Sequence, residues 1–293
     1  MRNCRFREDS VTLPIVEAPR PSLDPPGIDP AVTADWLTAF LRDELVVRRN
    51  IPRAVVGLSG GVDSALTAFL CARALGPKNV YAIRMPYATS SAASLADAQL
   101  VVDALGIECR TVEITAAVDG YLQYEPDAGG RRRGNVMARV RMVVLFDQSA
   151  KYDALPIGTG NKTERMLGYF TWHADDTPPV NPIGDLFKTQ VWALARYLGV
   201  PQALVDKAPT ADLEAGQTDE GDLGITYARA DAIIAQLLLG YSDAQLVARG
   251  FAPDEVALIR KRVEGTHWKR HLPTTALLTS TAINEFYLRP VDF

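Results

Sequence analysis

From Ala54 onward, short apolar runs alternate with stretches in which apolar residues recur every three or four positions. The run Ala54-Val55-Val56-Gly57-Leu58 predicts a strand buried on both faces, because it shows no polar alternation. A helix follows from about Ser64 to Leu75, closed by Gly76, which tolerates the left-handed conformation that ends helices. Val80 to Met85 reads as a second strand. Ser94 reads as the cap of a helix with Leu95, Val101, Val102 and Leu105 on one face, and Cys109 to Ile114 as a third strand. After a Gly- and Arg-rich break at 125–134, a helix is predicted over Asn135–Tyr152 and a strand over Leu155–Gly158. The alternation predicts an α/β fold: a doubly wound parallel sheet of about five strands with helices on both faces. Helical spacing at 189–198, 227–239, 243–249 and 254–264 predicts a mainly helical C-terminal part.

Upstream, Trp36, Leu37, Phe40, Leu41 and Leu45 keep helical spacing behind Asp29-Pro30, a good N-cap followed by a proline tolerated at the first helical position. Residues 1–28 carry five prolines and little periodicity, so they read as an arm, with one domain over 29–293. Two long breaks, 121–134 and 208–224, exceed ordinary connections and read as functional lids or disordered segments.

At 293 residues and 47% hydrophobic, the chain can bury a sizeable core. Its net charge of -4 argues against binding to bulk nucleic acid, which favours a basic surplus. Cys4, Cys71 and Cys109 have no CxxC spacing and read as thiols of a reducing compartment. With no apolar stretch long enough for a signal peptide or a membrane span, the expected location is the cytoplasm. His173, His267 and His271 form no metal-ligand pattern with the cysteines.

Chemistry concentrates in the turn after the first strand: Gly57, Leu58, Ser59, Gly60, Gly61, Val62, Asp63 and Ser64. Two glycines let backbone N–H groups face a ligand, and the helix start adds unpaired N–H groups with a partial positive charge. A Gly-Gly alone would be an ordinary strand–helix turn. The full Ser-Gly-Gly-Val-Asp-Ser points to phosphate, and Asp63 beside phosphates implies an intervening Mg2+. No Walker-type Gly-x-x-x-x-Gly-Lys-Ser/Thr occurs.

This turn resembles the pyrophosphate-binding signature of the N-type ATP pyrophosphatases, enzymes that cleave ATP between the α- and β-phosphates. Further segments, in order, resemble the NAD synthetase family within that group. They are Gly134-Asn135-Val136-Met137-Ala138-Arg139-Val140-Arg141-Met142, Gly158-Thr159-Gly160-Asn161-Lys162-Thr163-Glu164 with Gly168-Tyr169-Phe170-Thr171, Asn181 to Trp192, and Pro209-Thr210-Ala211-Asp212-Leu213 followed by Gln217-Thr218-Asp219-Glu220. The resemblance spans roughly residues 30–272 and implies an adenine nucleotide alpha hydrolase-like fold. It implies that the Gly57–Ser64 loop, Thr159, Lys188 and Thr210 contact ATP, and that Asp63 and Glu164 hold Mg2+. Arg139, Trp172, Asp175 and Lys269 would face the acid substrate, with Asp63, Lys188 and Asp175 the catalytic groups. Taken singly, Glu164 could be a first-turn acid favoured by the helix dipole, Lys188 a solvated lysine and Thr210 a turn residue.

The implied reaction is ATP-dependent amidation of deamido-NAD by ammonia through an acyl-adenylate. About fifty residues precede the first strand, too few for the amidase domain of glutamine-using relatives, so free ammonia or a separate glutaminase is expected. The family also implies a homodimer, contacting through 145–170 and the C-terminal helices. The departures cluster on the substrate side. Trp172-His173-Ala174-Asp175-Asp176 lacks two family glycines, Pro179 replaces an aspartate, and Trp268-Lys269 stands for a His-Lys pair. A paralogue amidating a different acid is therefore the alternative. Arg131-Arg132-Arg133 reads either as a phosphate grip or as a solvated loop.

Overall fold

In a computed structural model, residues 23–210 and 218–271, with Ala276 and Leu278, are described. Cys4, most of the expected Pro-rich arm and residues 211–217 of the second long break lie outside them. The strands are β1 (Ala54–Gly57), β2 (Val80–Arg84), β3 (Glu108–Thr111) and β4 (Leu155–Ile157). The helices are α1 (Pro30–Arg42), α2 (Val62–Leu75), α3 (Ala92–Leu105), α4 (Thr115–Leu122), α5 (Gly130–Tyr152) and α6 (Lys162–Leu167). They continue with α7 (Lys188–Leu198), α8 (Gln202–Asp206), α9 (Asp219–Leu223), α10 (Tyr227–Leu238), α11 (Asp243–Ala248) and α12 (Pro253–Gly265).

The sheet is parallel throughout, in the order β3-β2-β1-β4, with Ala54 level with Val80 and Leu155. Four strands form rather than about five; the fifth position is a single parallel bridge between Ile157 and Val180. Alternate residues serve the two faces. Ala54, Val56 and Ala82 pack with α1, α2, α3 and α7, whereas Val55 and Ile83 meet Leu145 of α5. The chain runs β1 to β3 toward one edge, then α5 carries it back to place β4 on the other side of β1. That reversal makes a switch point between β1 and β4, where the loops leaving their carboxyl ends diverge and a crevice opens.

The C-terminal helices build a second cluster, from Leu167, Leu223, Tyr227, Ile233, Ile234, Leu246, Val256 and Ile259. Trp192 of α7 is partly buried against both clusters.

Local differences from the sequence reading have local causes. The expected cap Ser94 lies inside α3; Ser91 is the N-cap and accepts the Ser94 N–H at 3.0 Å. Helix α5 starts at Gly130, so Arg131-Arg132-Arg133 are helical rather than a loop, with Arg132 paired to Glu125 and Asp127. β3 covers only Glu108–Thr111, and four short helices (α4, α6, α8, α9) fill stretches without sustained periodicity. The cap at Asp29 holds, its side chain accepting from Ala31 and Val32. Cys71 is buried in α2, and Cys109 lies in β3.

Candidate active site

The crevice at the switch point is a cleft of about 310 Å³. The whole Gly57–Ser64 turn lines it, together with Thr159, Glu164, Asp175, Lys188 and Thr210. The turn passes so close to α3 that a Cβ on Gly60, whose φ is +81°, would stand 2.2 Å from the Ser94 carbonyl oxygen. Only glycine fits there. The two serines lock the turn on itself: Ser64 Oγ lies 3.1 Å from Ser59 Oγ, accepts the Ser59 N–H at 3.2 Å and donates to the Gly61 carbonyl.

Asp63 sits in the first turn of α2, where the helix dipole favours a carboxylate. Asn161 donates to Asp63 Oδ1 at 2.9 Å, and the Lys188 ammonium pairs with Oδ2. Asn161 is also the N-cap of α6, in a reciprocal capping box with Glu164. Lys188, only 2% exposed, lies 3.5 Å from Glu164 Oε1. Three helix starts distant in sequence, those of α2, α6 and α7, thus bring Asp63, Glu164 and Lys188 together.

Burial pushes the Glu164 carboxyl up to about 8; the Asp63 charge adds to the rise and Lys188 opposes it. Burial works against the Lys188 charge, but the carboxylates of Asp63 and Glu164 outweigh it and raise its pKa. Asp219 of α9 faces the same ammonium and accepts from Tyr227 and Tyr169 at 3.0 and 3.2 Å; burial raises its carboxyl.

Among the described residues, no group of three or more His, Cys, Asp or Glu side chains forms a preformed metal cage. That suits magnesium, which binds through one or two carboxylates plus substrate phosphates rather than in an all-protein cage. Asp63 and Glu164 are two carboxylates that line the same cleft as the phosphate turn.

The other four sequence candidates gather on one side. Arg139 of α5 donates to the Trp172 carbonyl at 3.0 Å, and Trp172 meets Trp268 edge-on at 5.1 Å. Lys269 is committed to backbone, donating to the Gly168 and Phe170 carbonyls; burial lowers its pKa, while the nearby Asp175 works the other way. Asp175 lines the cleft and accepts the Thr171 N–H at 2.9 Å. Its side chain keeps solvent contact, yet the desolvating mass of the cleft wall raises its carboxyl to about 6. Arg139, Trp172 and Lys269 do not line the cleft itself; they buttress the segment that carries Asp175. His173 takes a left-handed φ of 56° within it, with its ring against Trp172.

Several cleft residues carried no signal in the sequence reading. Lys207 lines the cleft and is held by Asp97 at 2.7 Å, but a lysine after a short helix looks like any surface lysine. Asp219, which lines the cleft, and Asn161, buried beside it, stand inside family-like motifs without an expected role; their partners only become visible in three dimensions.

A glycine-lined turn at the switch point of a parallel sheet, opening on one cleft with two carboxylates and a buried lysine, defines a nucleotide-handling α/β protein. The NAD synthase family pattern matches residues 33–273. The NH3-dependent NAD+ synthetase of Trichlorobacter lovleyi is 49% identical over 259 residues, covering 88% of this chain and 94% of that protein. The chain belongs to the NAD synthase family. Among solved structures, the NH3-dependent NAD synthetase of Campylobacter jejuni, in complex with the nitrate ion, superposes with a TM-score of 0.73. It is 32% identical, over 85% of this chain and 100% of that one. The NMN synthetase of Francisella tularensis gives 0.76 at 31% identity, over 85% and 99%.

Proposed function

We propose that this chain is a ligase that amidates deamido-NAD to NAD with ammonia, converting ATP to AMP and pyrophosphate. The observation that carries the reading is the meeting of Asp63, Glu164 and Lys188 beside the Gly57–Ser64 turn, in a chain whose relatives are NH3-dependent NAD+ synthetases.

In the first step the substrate carboxylate attacks the α-phosphorus of ATP, and the bond to the β-phosphate oxygen breaks, releasing pyrophosphate. In this reading the backbone N–H groups of the turn and the start of α2 hold the phosphates, with Thr159 and Thr210 further along the cleft. Lys188 is the fixed cation for charge developing on the phosphates; a preorganised group of this kind is worth about 3–4 kcal/mol. Asp63 and Glu164 would hold Mg2+, which supplies further charge neutralisation when bound.

In the second step ammonia attacks the acyl carbon, a proton is lost from nitrogen, and AMP leaves. Asp175, with its raised carboxyl pKa, would hold or deprotonate the incoming ammonia. Free ammonia or a separate glutaminase would supply the nitrogen. The cleft-lining stretch 207–210 and the connection between α4 and α5 would shield the adenylate from water. Residues 29–293 would act as one unit in a cytoplasmic homodimer, with 1–28 as an arm. Among the described residues, no helix is long and apolar enough to cross a membrane.

A second reading has its own support. The segment Trp172-His173-Ala174-Asp175-Asp176 departs from the NAD synthetase pattern beside Asp175, and the fold likeness extends equally to an NMN synthetase. The same adenylation chemistry would then act on a different acid. A pyrophosphate-release assay with ATP, magnesium and ammonium decides. Turnover with deamido-NAD supports the first reading. Turnover only with the carboxylate counterpart of NMN, or with another acid, supports the second. ATP binding without turnover on any acid refutes both.

A further inference from the structure

The first turn of an α-helix leaves its leading N–H groups without intrahelical partners, and a side chain at the N-cap normally accepts one of them. Helix α7 begins at Lys188, but its N-cap is Phe187, whose ring has no oxygen to offer. The missing acceptors come from two other helices. Thr163 Oγ1 of α6 accepts the Lys188 N–H at 2.9 Å, and Asp231 Oδ2 of α10 accepts the Thr189 N–H at 2.9 Å and the Thr189 hydroxyl at 2.7 Å. Asp231 Oδ1 accepts the Thr163 hydroxyl proton, which leaves a Thr163 lone pair directed at Lys188.

Asp231 has no exposed surface and sits among buried Ala230, Ala232, Ile233 and Ile234. A carboxylate at such a position costs free energy unless it is fully hydrogen-bonded, so packing alone would favour an apolar residue. Its partners are Thr189, at the start of the helix that carries the cleft lysine, and Thr163 of α6, whose hydroxyl in turn accepts the Lys188 N–H. Tyr227, one turn earlier on the same face of α10, places its ring 5.2 Å from the Lys188 ammonium. One face of α10 thus bears on Lys188 twice: the Tyr227 ring lies against its ammonium, and the Asp231 carboxylate holds Thr189 and Thr163, the neighbours of its backbone N–H.

We propose that Asp231 is a positioning residue, which fixes Lys188 against Asp63 and Glu164 by capping α7 from another helix and through the Thr163 hydroxyl. The inference rests on the reading of Lys188 as the cation for the departing phosphates. Misplacing a catalytic group by about 1 Å costs on the order of 100-fold in rate. Asp231→Asn, which turns an N–H toward the donors, therefore lowers kcat for pyrophosphate release about 100-fold while KM for ATP changes little.

The full-length chain is assayed as Asp231→Asn, Thr163→Val, Thr163→Ser, Lys188→Ala and Lys188→Ala combined with Asp231→Asn. Thr163→Ser keeps the relay hydroxyl and should retain activity, whereas Thr163→Val should fall with Asp231→Asn. Once Lys188 is gone, Asp231→Asn should cause no further loss. A normal kcat in Asp231→Asn, or an equal further loss on top of Lys188→Ala, overturns the inference while leaving the site reading intact. Full activity in Lys188→Ala strikes the site reading and the inference with it. If Asp231→Asn does not fold, Thr163→Val compared with Thr163→Ser, alone and with Lys188→Ala, gives the same decision.

Discussion

Replacing Gly60 by alanine separates two costs that usually arrive together. Gly60 has a φ of +81°, where an L side chain is strained by about 1–2 kcal/mol. A Cβ would also stand 2.2 Å from the Ser94 carbonyl oxygen, whereas real Cβ atoms essentially never approach closer than 3.0 Å. The obstacle is helix backbone, so the phosphate turn or the first turn of α3 must move by most of an ångström. Overpacking of that kind costs about 1–3 kcal/mol more, and the displacement falls on the groups meant to hold the phosphates. Together this predicts about 2–5 kcal/mol of lost stability, roughly 3–8 °C in Tm for a chain of this size, with turnover down on the order of 100-fold. Gly106→Ala is the control: its φ is +63° in the left-handed region, but nothing lies within 4 Å of the added carbon. It should lose only the backbone term and keep full turnover. Thermal melting and pyrophosphate release on both variants test this; a Gly60→Ala chain that melts and turns over like Gly106→Ala refutes the account of the turn.

Asn161→Ala removes the α6 cap and the hydrogen bond to Asp63 together, so denaturant unfolding should show a loss of about 2–4 kcal/mol, with slower pyrophosphate release. Glu164 has a folded pKa of about 8 against an ordinary 4.5, so the folded chain keeps a proton that the unfolded chain has lost. Ligand-free stability should therefore fall as pH rises from about 4.5 to 8, and Glu164→Gln should flatten that window in melting curves. Asp175→Asn should sharply slow amide formation while pyrophosphate release persists; unchanged amide formation would remove Asp175 from the chemistry.

The sheet was readable because β1 is an unbroken apolar run, β2 is apolar up to Arg84, and the helix between them ends at Gly76. The start of α5 was not, because Gly129, Gly130 and three arginines lack apolar spacing; the helix begins there with Arg132 paired to acids of the preceding turn. Ser91 and Ser94 are both competent caps, and only the bond from the Ser94 N–H to Ser91 Oγ separates them. Of the candidate site, the phosphate turn, Glu164, Lys188, Thr159, Thr210 and Asp175 do share one cleft. Asp231 could not be found the same way, since an acid within an apolar helical stretch shows its purpose only when the neighbouring helix ends come into view.

Helix α7 belongs to two interiors at once: its Val191, Leu194 and Ala195 complete the core under the sheet, while Trp192 also leans on the C-terminal cluster. Severing the chain after α8 would leave the strands and the glycine turn with their own supports. The lysine, however, would lose Tyr227 beneath its ammonium and the acceptor behind Thr189. Such a fragment would keep a place for phosphate but no fixed cation beside it, so the C-terminal helices are as much a part of the catalyst as the sheet they adjoin.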